Sequence, residues 1–336
     1  MTNVDIKFIA KKAGVSPATV SRVLNHTKTV SEELEKRVME MVRKYHYYPN
    51  SIARGLVTKR TRLIAQLTDE QLNIFQTVLV SRMAYYAAKK DYKLMNMPCG
   101  SDFQNLLETM ELLQQQQFEG IMTTFSLQPD EMEKVQKRIE IPVIDNSFYP
   151  GGESIMRQNH QAVFRAISYL AELGHRKIGG IFPRIRQGEL IYFRYEGFLD
   201  ALKYYRCPIN DRFISTSADG MEGAIAEVKR MVSYGELPTA MFCYCDEAAI
   251  GIILYLEKNG IRVPQDISII GFDGIQMGQM IEPKLTTIVQ PVEHLCKNLV
   301  EWMISKIERS NWSDETEIEK EYMLLRGESC RSIRSS

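Results

Sequence analysis

The sequence predicts a small all-α head of helix-turn-helix type carried on a larger α/β body built around parallel sheet. Three observations lead there. Basic charge is concentrated in the first 62 residues, helix-period patterns with start and stop signals crowd the first 45, and from Leu63 onward short apolar runs alternate with amphipathic stretches. The chain has 336 residues, is neutral overall, and is 44% hydrophobic and 25% charged, which suits more than one globular core. Residues 1–62 hold thirteen lysines and arginines against five acidic residues, a net charge of +8 that the remainder offsets with −8. A compact basic head on an acidic body points to a polyanion as the head's partner.

In the head, "IKFIAKKA" places Ile6, Ile9, Ala10 and Ala13 on one helical stripe, and Gly14 supplies a tight exit. "SPATVSRVLN" follows. Ser16 is a good N-cap, Pro17 fits the first helical position where its missing N–H costs nothing, and Val20, Val23 and Leu24 share a buried face. Ala18, Ser21, Arg22 and Asn25 fall on the other side. A third helix is predicted from Ser31 as cap, with Glu32 and Glu33 at its positive end and Leu34, Val38, Met41, Val42 and Tyr45 facing inward. Three short helices sharing a core hold the second one outward, the arrangement that lays a recognition helix in the DNA major groove. Arg22 then reaches a guanine or a phosphate, Ala18 a thymine methyl, and Thr19 and Ser21 phosphate or base. The bland alternative is an ordinary three-helix bundle with an exposed arginine, and the +8 head makes it the weaker reading.

"YYPNSIARGLVTKRT" comes next. Asn50 can cap a brief helix in which Ile52, Ala53 and Leu56 face one way, too short to be stable alone in water and weakened by Gly55. An apolar Leu56 on a basic, marginal helix is explained if minor-groove DNA buries it as a wedge; a plain linker is the alternative.

In the body, "RLIAQL", "YKLMNM", "GIMTTF", "IPVIDN", "RKIGGIF", "TAMFCYC", "ISIIGFD" and "TTIVQ" read as strands. Helical stretches such as 77–90, 105–117, 162–173, 222–233 and 248–258 separate most of them, the pattern of a parallel sheet. No apolar run approaches the roughly 18–20 residues of a membrane span, and the N-terminal residues lack a signal-peptide layout, Asp5 and Lys7 interrupting them. Six scattered cysteines and five histidines form no metal-ligand spacing. The expectation is a cytoplasmic protein with reduced thiols, no metal and no cofactor.

Taken together, "IKFIAKKAGVSPATVSRVLN…VSEELEKRVMEMVRKYHYYPNSIARGLVTKRT" resembles the N-terminal signature of the lactose/galactose repressor (LacI) family, and the resemblance continues through the body. It implies a dimeric bacterial transcription regulator, in expectation a repressor, binding a palindromic operator under control of a small ligand, most simply a sugar. Pro17, Ala18 and Arg22 become the main base readers, with Ser16, Thr19, Ser21, Asn25, Asn50, Arg54 and Lys59 as further DNA contacts and Leu56 as the minor-groove wedge. The body becomes two doubly wound subdomains, as in a periplasmic sugar-binding protein that closes on its ligand. The implied layout is 1–48 for the head, 49–62 for the hinge and 63–336 for the body. Within it one subdomain takes about 63–161 and 292–321, the other about 162–290 and 322–336.

Ligands of such folds bind outside the carboxyl ends of strands, so residues following the strands are the candidates. The resemblance implies that Arg194, in "RYEGF", reaches into the cleft, and that Asp273, in "GFDG", accepts from vicinal hydroxyls. Asp246 reads best as a helix cap, with Cys245 beside it as the pocket residue. Gln290 stands at a crossover and lines the cleft or bridges the hinge. Phe75 and Phe125 offer faces for a sugar ring, although aromatics are also ordinary core material. The chain has Gln158-Asn159 where relatives often have Asp-Asn, and Asn73-Ile74-Phe75 where they run toward Asn-Pro-Phe.

Two other classes compete: an enzyme of carbohydrate metabolism carrying a basic head, and a solute-binding protein. No nucleophile–base arrangement, phosphate loop or metal cluster supports the first, and the basic head opposes the second. Within the regulator class, a phosphorylated carrier protein as corepressor is also open. The C-terminal residues hold no leucine heptads, so a homodimer is expected rather than a tetramer.

Overall fold

A computed structural model describes residues 5–25, 30–47, 60–100, 102–145, 155–186, 189–312 and 321–334. The chain divides into two compact units, 1–61 and 62–336.

The first unit contains α1 (Ile6–Ala13), α2 (Pro17–Asn25) and α3 (Glu32–Lys44). Asp5 starts α1 by accepting the Phe8 N–H at 2.7 Å. Gly14 ends it in the left-handed region at φ 66°, returning its N–H to the Ala10 carbonyl; a side chain there would be strained. Ser16 caps α2 as its position predicts: its Oγ accepts the Thr19 N–H at 3.1 Å and its carbonyl the N–H groups of Thr19 and Val20. Ser31 stands at the N-cap of α3 without a side-chain capping bond, a correction to the expected role; its carbonyl alone accepts, from Leu34 and Glu35. Ile9, Ala10, Ala13, Val20, Val23 and Val38 form the buried core of the unit.

The second unit holds two sheets. The first is fully parallel, ordered β2-β1-β3-β4, from β1 (Leu63–Thr68), β2 (Lys93–Pro98), β3 (Gly120–Thr123) and β4 (Val143–Asp145). The second is ordered β10-β9-β8-β7-β5-β6, from β5 (Ile178–Phe182), β6 (Ile214–Thr216), β7 (Ala240–Cys243), β8 (Ser268–Asp273), β9 (Thr286–Val289) and β10 (Met323–Leu325). All its pairs are parallel except β9–β10. Helices flank both sheets: α4 (Ile74–Lys89), α5 (Phe103–Gln115), α6 (Pro129–Arg138), α7 (Ile155–Glu172), α8 (Leu190–Tyr204), α9 (Gly220–Ser233), α10 (Asp246–Lys258) and α11 (Val292–Glu308). Each inner strand is therefore buried on both faces, which is why the strand sequences read as mainly apolar runs rather than alternating ones, with Gln66, Thr68, Thr123, Thr286 and Thr287 among the buried polar exceptions. On β1, Ile64 joins one core with Met122, Leu299 and Met303, while Ala65 and Leu67 join another with Leu106, Met110 and Ile121.

The chain passes between the sheets within α7. Ile155 at its start packs in the first sheet's core, whereas Ala162, Val163 and Ala166 pack under the second. After β9 the chain returns through Gln290 to α11, which lies on the first sheet. β10 then pairs with β9. Among the described residues no helix is long and apolar enough to cross a membrane.

Candidate functional site

On the head, the outward face of α2 presents Ser16, Pro17, Ala18 and Arg22 exposed, with Thr19 and Ser21 half-buried, while Val20 and Val23 point into the core. The Thr19 hydroxyl lies 2.9 Å from the Ser16 hydroxyl, so the two support one another at the leading end of the helix. The side chain of Asn25, and all of Asn50, Arg54, Leu56 and Lys59, lie outside the described residues.

In the body, a cleft opens at the carboxyl ends of strands from both sheets. Its inner lobe, about 230 Å³, is lined by Phe75, Arg194, Cys245, Asp273 and Gln290 among others. Its outer lobe, about 570 Å³, is lined by Phe125 and a group of charged side chains. Gln76, Thr124, Pro183, Leu190 and Ile191 border both lobes. The fold thus brings five of the six sequence-predicted ligand residues around one lobe and sets the sixth, Phe125, in the adjoining one.

The inner lobe is organised by a closed ring of polar contacts. Arg194 Nε donates to Asn159 Oδ1 at 2.7 Å, and its Nη1 donates to the Tyr244 carbonyl at 2.8 Å. The same Nη1 stands 3.8 Å from Asp273 Oδ1, and the guanidinium stacks 3.8 Å from the centroid of the Phe272 ring. Gln290 Nε2 donates to Asp273 Oδ1 at 2.7 Å; the Tyr322 hydroxyl donates to Gln290 Oε1 at 3.3 Å and accepts from Asn159 Nδ2 at 3.1 Å. Each member is buried or nearly so, and a satisfied buried network of this kind is stiff. Gln290 therefore lines the cleft and ties the crossover to β8.

Burial, with Asp246 adding to it, pushes the Asp273 carboxyl above its ordinary range, against the opposing pull of Arg194 and Gln290. The Cys245 thiol is likewise pushed up, to about 12, by burial first and by Asp273 second. It is a neutral thiol rather than a nucleophile.

Asp246 departs from its expected role. The cap of α10 is Cys245, whose Sγ accepts the Ala248 N–H at 3.4 Å. Asp246 is instead a buried tie: one carboxylate oxygen accepts from the Thr287 hydroxyl, and the other accepts the Ile275 N–H at 2.8 Å. It ties the exit of β8 to the start of β9, and with them Asp273.

Asn159, Tyr322 and Tyr244 belong to the site although the sequence did not nominate them as ligand-binding. Asn159 was visible only as half of the Gln158-Asn159 departure, and Tyr322 stands beside a three-residue strand with no pattern of its own. "NIFQ" has a local logic: Asn73 Oδ1 accepts the Gln76 N–H at 2.8 Å and Gln76 Oε1 accepts the Asn73 N–H at 3.0 Å. This capping box starts α4 at the cleft. Across the cleft, Glu247 Oε2 accepts the Ile74 N–H at 3.1 Å, and Phe75 packs into the core of the second sheet.

Residues 5–50 match the model of the bacterial regulatory proteins of the lacI family, and residues 167–330 that of the periplasmic binding protein-like domain. The HTH-type transcriptional repressor PurR of Vibrio vulnificus is 30% identical over 309 residues, covering 90% of this chain and 91% of that protein. The ribose operon repressor of Haemophilus influenzae is 29% identical over 335 residues, covering 98% and 99%. Among solved structures, the Lac repressor dimer bound to operator and the anti-inducer ONPF superposes with a TM-score of 0.82 at 20% identity, covering 98% of this chain and 100% of that one. The complex of the transcriptional regulator CelR with cellobiose gives 0.68 at 21% identity, covering 97% and 100%. With an outward-facing α2 on a helix-turn-helix head and a two-sheet body around a polar-ringed cleft, the chain belongs to the LacI family of bacterial regulatory proteins: it is a DNA-binding transcriptional repressor with a ligand-binding body, not an enzyme.

Proposed function

We propose that this repressor binds a palindromic operator as a homodimer in the cytoplasm and that a sugar or sugar derivative in the body cleft changes its operator affinity. The observation that carries the proposal is the ring of Arg194, Asn159, Tyr322, Gln290 and Asp273 around the inner lobe. It presents a guanidinium donor and a carboxyl group side by side, a pair whose donors and acceptors a vicinal diol satisfies. The relatives support the sugar reading, one being a ribose operon repressor and one solved neighbour a cellobiose complex. On the head, Pro17, Ala18 and Arg22 read bases; Ser16, Thr19, Ser21, Asn25, Asn50, Arg54 and Lys59 hold phosphates or bases; and Leu56 enters the minor groove. The division proposed is a head of 1–48, a hinge of 49–62 and a body of 63–336. A phosphorylated carrier protein is a further proposed partner, tested by whether the phosphorylated carrier alone shifts operator affinity.

The principal test titrates operator binding with and without the sugar found to stabilise the protein thermally. Arg22→Ala is expected to cost about 1–3 kcal/mol on the operator and to relax selectivity at one position of each half-site. Arg194→Ala is expected to keep operator affinity and lose the ligand response. An Arg22→Ala protein that weakens equally on random DNA would overturn base reading, and an Arg194→Ala protein with the wild-type ligand response would remove the effector from this cleft.

A further inference from the structure

The two lobes of the cleft differ in chemistry, and the difference narrows the effector. Small-molecule sites usually enclose about 300–1,000 Å³. The inner lobe alone, about 230 Å³, falls short of that range, whereas the outer lobe, about 570 Å³, adjoins it across five shared lining residues. At the waist, where both lobes meet, the Thr124 hydroxyl is buried and has no hydrogen-bond partner. A ligand that stopped in the inner lobe would leave the larger volume unused.

The outer lobe is lined by the rings of Phe103 and Phe125 and by the carboxylates of Asp69, Glu131, Glu189 and Asp219, with Arg184 and Arg186 beside them. Aromatic faces flanked by carboxylate acceptors and guanidinium donors suit a polyhydroxylated ring, whose C–H face packs on an aromatic while its hydroxyls both donate and accept. Two of the carboxylates keep capacity beyond their structural bonds. Asp219 uses Oδ1 for the Arg184 N–H at 3.2 Å, and Glu131 uses Oε2 for the Gln128 N–H at 2.9 Å; each retains a second oxygen.

The walls also set the charge. Asp69 and Glu131 come from the side of the first sheet and Glu189 from the start of α8 on the other. Burial raises the Glu189 carboxyl; Arg186 opposes the shift, while Asp69 and Glu131 add to it from across the cleft. Of the arginines, Arg186 stands 3.9 Å from Glu189, Arg194 is committed to Asn159, Tyr244 and Asp273, and the exposed Arg184 side chain stands against the four carboxylates of the lobe. A phosphate or carboxylate on the ligand would enter a field in which four carboxylates outnumber the two guanidinium groups of the lobe.

We infer that the effector is an uncharged saccharide of two units, one ring held in the inner lobe by Arg194, Asp273 and Gln290 and the second seated on Phe125 among the carboxylates of the outer lobe. This rests on the cleft being the effector site.

Calorimetric titration of the full chain tests it with trehalose, maltose, cellobiose, sucrose and lactose. Their component monosaccharides, trehalose 6-phosphate and sucrose 6-phosphate complete the panel. The expected result is that one disaccharide binds at least tenfold more tightly than its monosaccharides and than either phosphate ester. For that disaccharide, Phe125→Ala and Glu189→Gln should each weaken binding at least fivefold, with unchanged far-ultraviolet circular dichroism. Glu189→Gln is conservative enough to keep the test valid should Phe125→Ala fail to fold. A monosaccharide or a phosphate ester binding as tightly as any disaccharide, or no disaccharide binding, overturns the inference. If Arg194→Ala abolishes sugar binding while Phe125→Ala and Glu189→Gln do not change it, the cleft is the effector site and only the two-lobe inference fails. If Arg194→Ala leaves the sugar's affinity unchanged, the assignment of the cleft itself fails.

Discussion

Asp273 sits at φ 128°, a backbone conformation that side chains rarely adopt, with its carboxylate buried between Gln290 and Arg194. Residues held so are over-determined by their surroundings and cluster at binding sites. Here the constraint comes from both flanks, Asp246 fixing the neighbouring Ile275 N–H and Gln290 gripping the carboxylate. The direction of its titration has a measurable consequence. A carboxyl whose folded-state pKa is raised above the ordinary value of about 3.9 binds more protons in the folded than in the unfolded state. Its contribution to stability is complete below that ordinary value and is lost as pH rises through the folded-state pKa. Asp273→Asn, which cannot ionise, should therefore gain on wild type as pH increases. Melting temperatures of the ligand-free proteins compared between pH 5 and 9 are expected to converge or cross in that sense. A difference independent of pH would mean that Asp273 stays ionised throughout.

At the scale of elements, α7 and α8 form the closest helix pair around the cleft, and Gly197 is the reason. A Cβ at Gly197 would lie 2.2 Å from the His160 carbonyl oxygen, so only glycine lets the two backbones meet. That approach is what carries Arg194, one turn earlier on α8, within 2.7 Å of Asn159 on α7. The motif Arg-x-x-Gly thus couples a cleft residue to the packing that aims it. Gly197→Ala is expected to destabilise the body by about 1–3 kcal/mol through overpacking. It should also weaken ligand binding, although residue 197 touches no ligand, and denaturant unfolding together with ligand titration of the same protein reads both effects. Unchanged stability would show that α8 slides without resistance.

At the scale of the whole molecule, the proposed function needs two arrangements of the body whose balance a ligand changes, because a ligand shifts an equilibrium only by its differential affinity for the two states. The structure contains a contact suited to one of them. Glu247 on α10 accepts the first N–H of α4 across the cleft, at 3.1 Å from Ile74 N. A carboxylate at a helix N-terminus is stabilising by about 0.3–1 kcal/mol. Glu247→Gln keeps an acceptor but removes that charge, and is expected to weaken ligand affinity about two- to fivefold and to shift operator affinity of the ligand-free protein by no more than that factor. Small-angle scattering should show the ligand-free body more open than in wild type. Equal affinity and equal dimensions would mean that the contact does not contribute to closure.

Much of this was legible in the residues alone, for reasons that are local. The head could be read because caps, a glycine exit and i, i+3, i+4 apolar spacing act within a turn or two of chain: Ser16, Gly14, Val20 and Val23 each do what their neighbours imply. The parallel body could be read because strands buried on both faces are mainly apolar. What the local pattern misled on was Asp246, whose position before a helix reads as a cap although its bonds go to Thr287 and Ile275. The short β6 and β10 were not foreseen. Only tertiary structure decided that Asn159, Arg194, Tyr322, Gln290 and Asp273, spread over more than 160 positions, close into one ring. Sequence spacing encodes helices and strands through short-range backbone geometry. A polar ring assembled from five separate stretches of chain is set by how the sheets and helices pack, and that is a property of the folded chain as a whole.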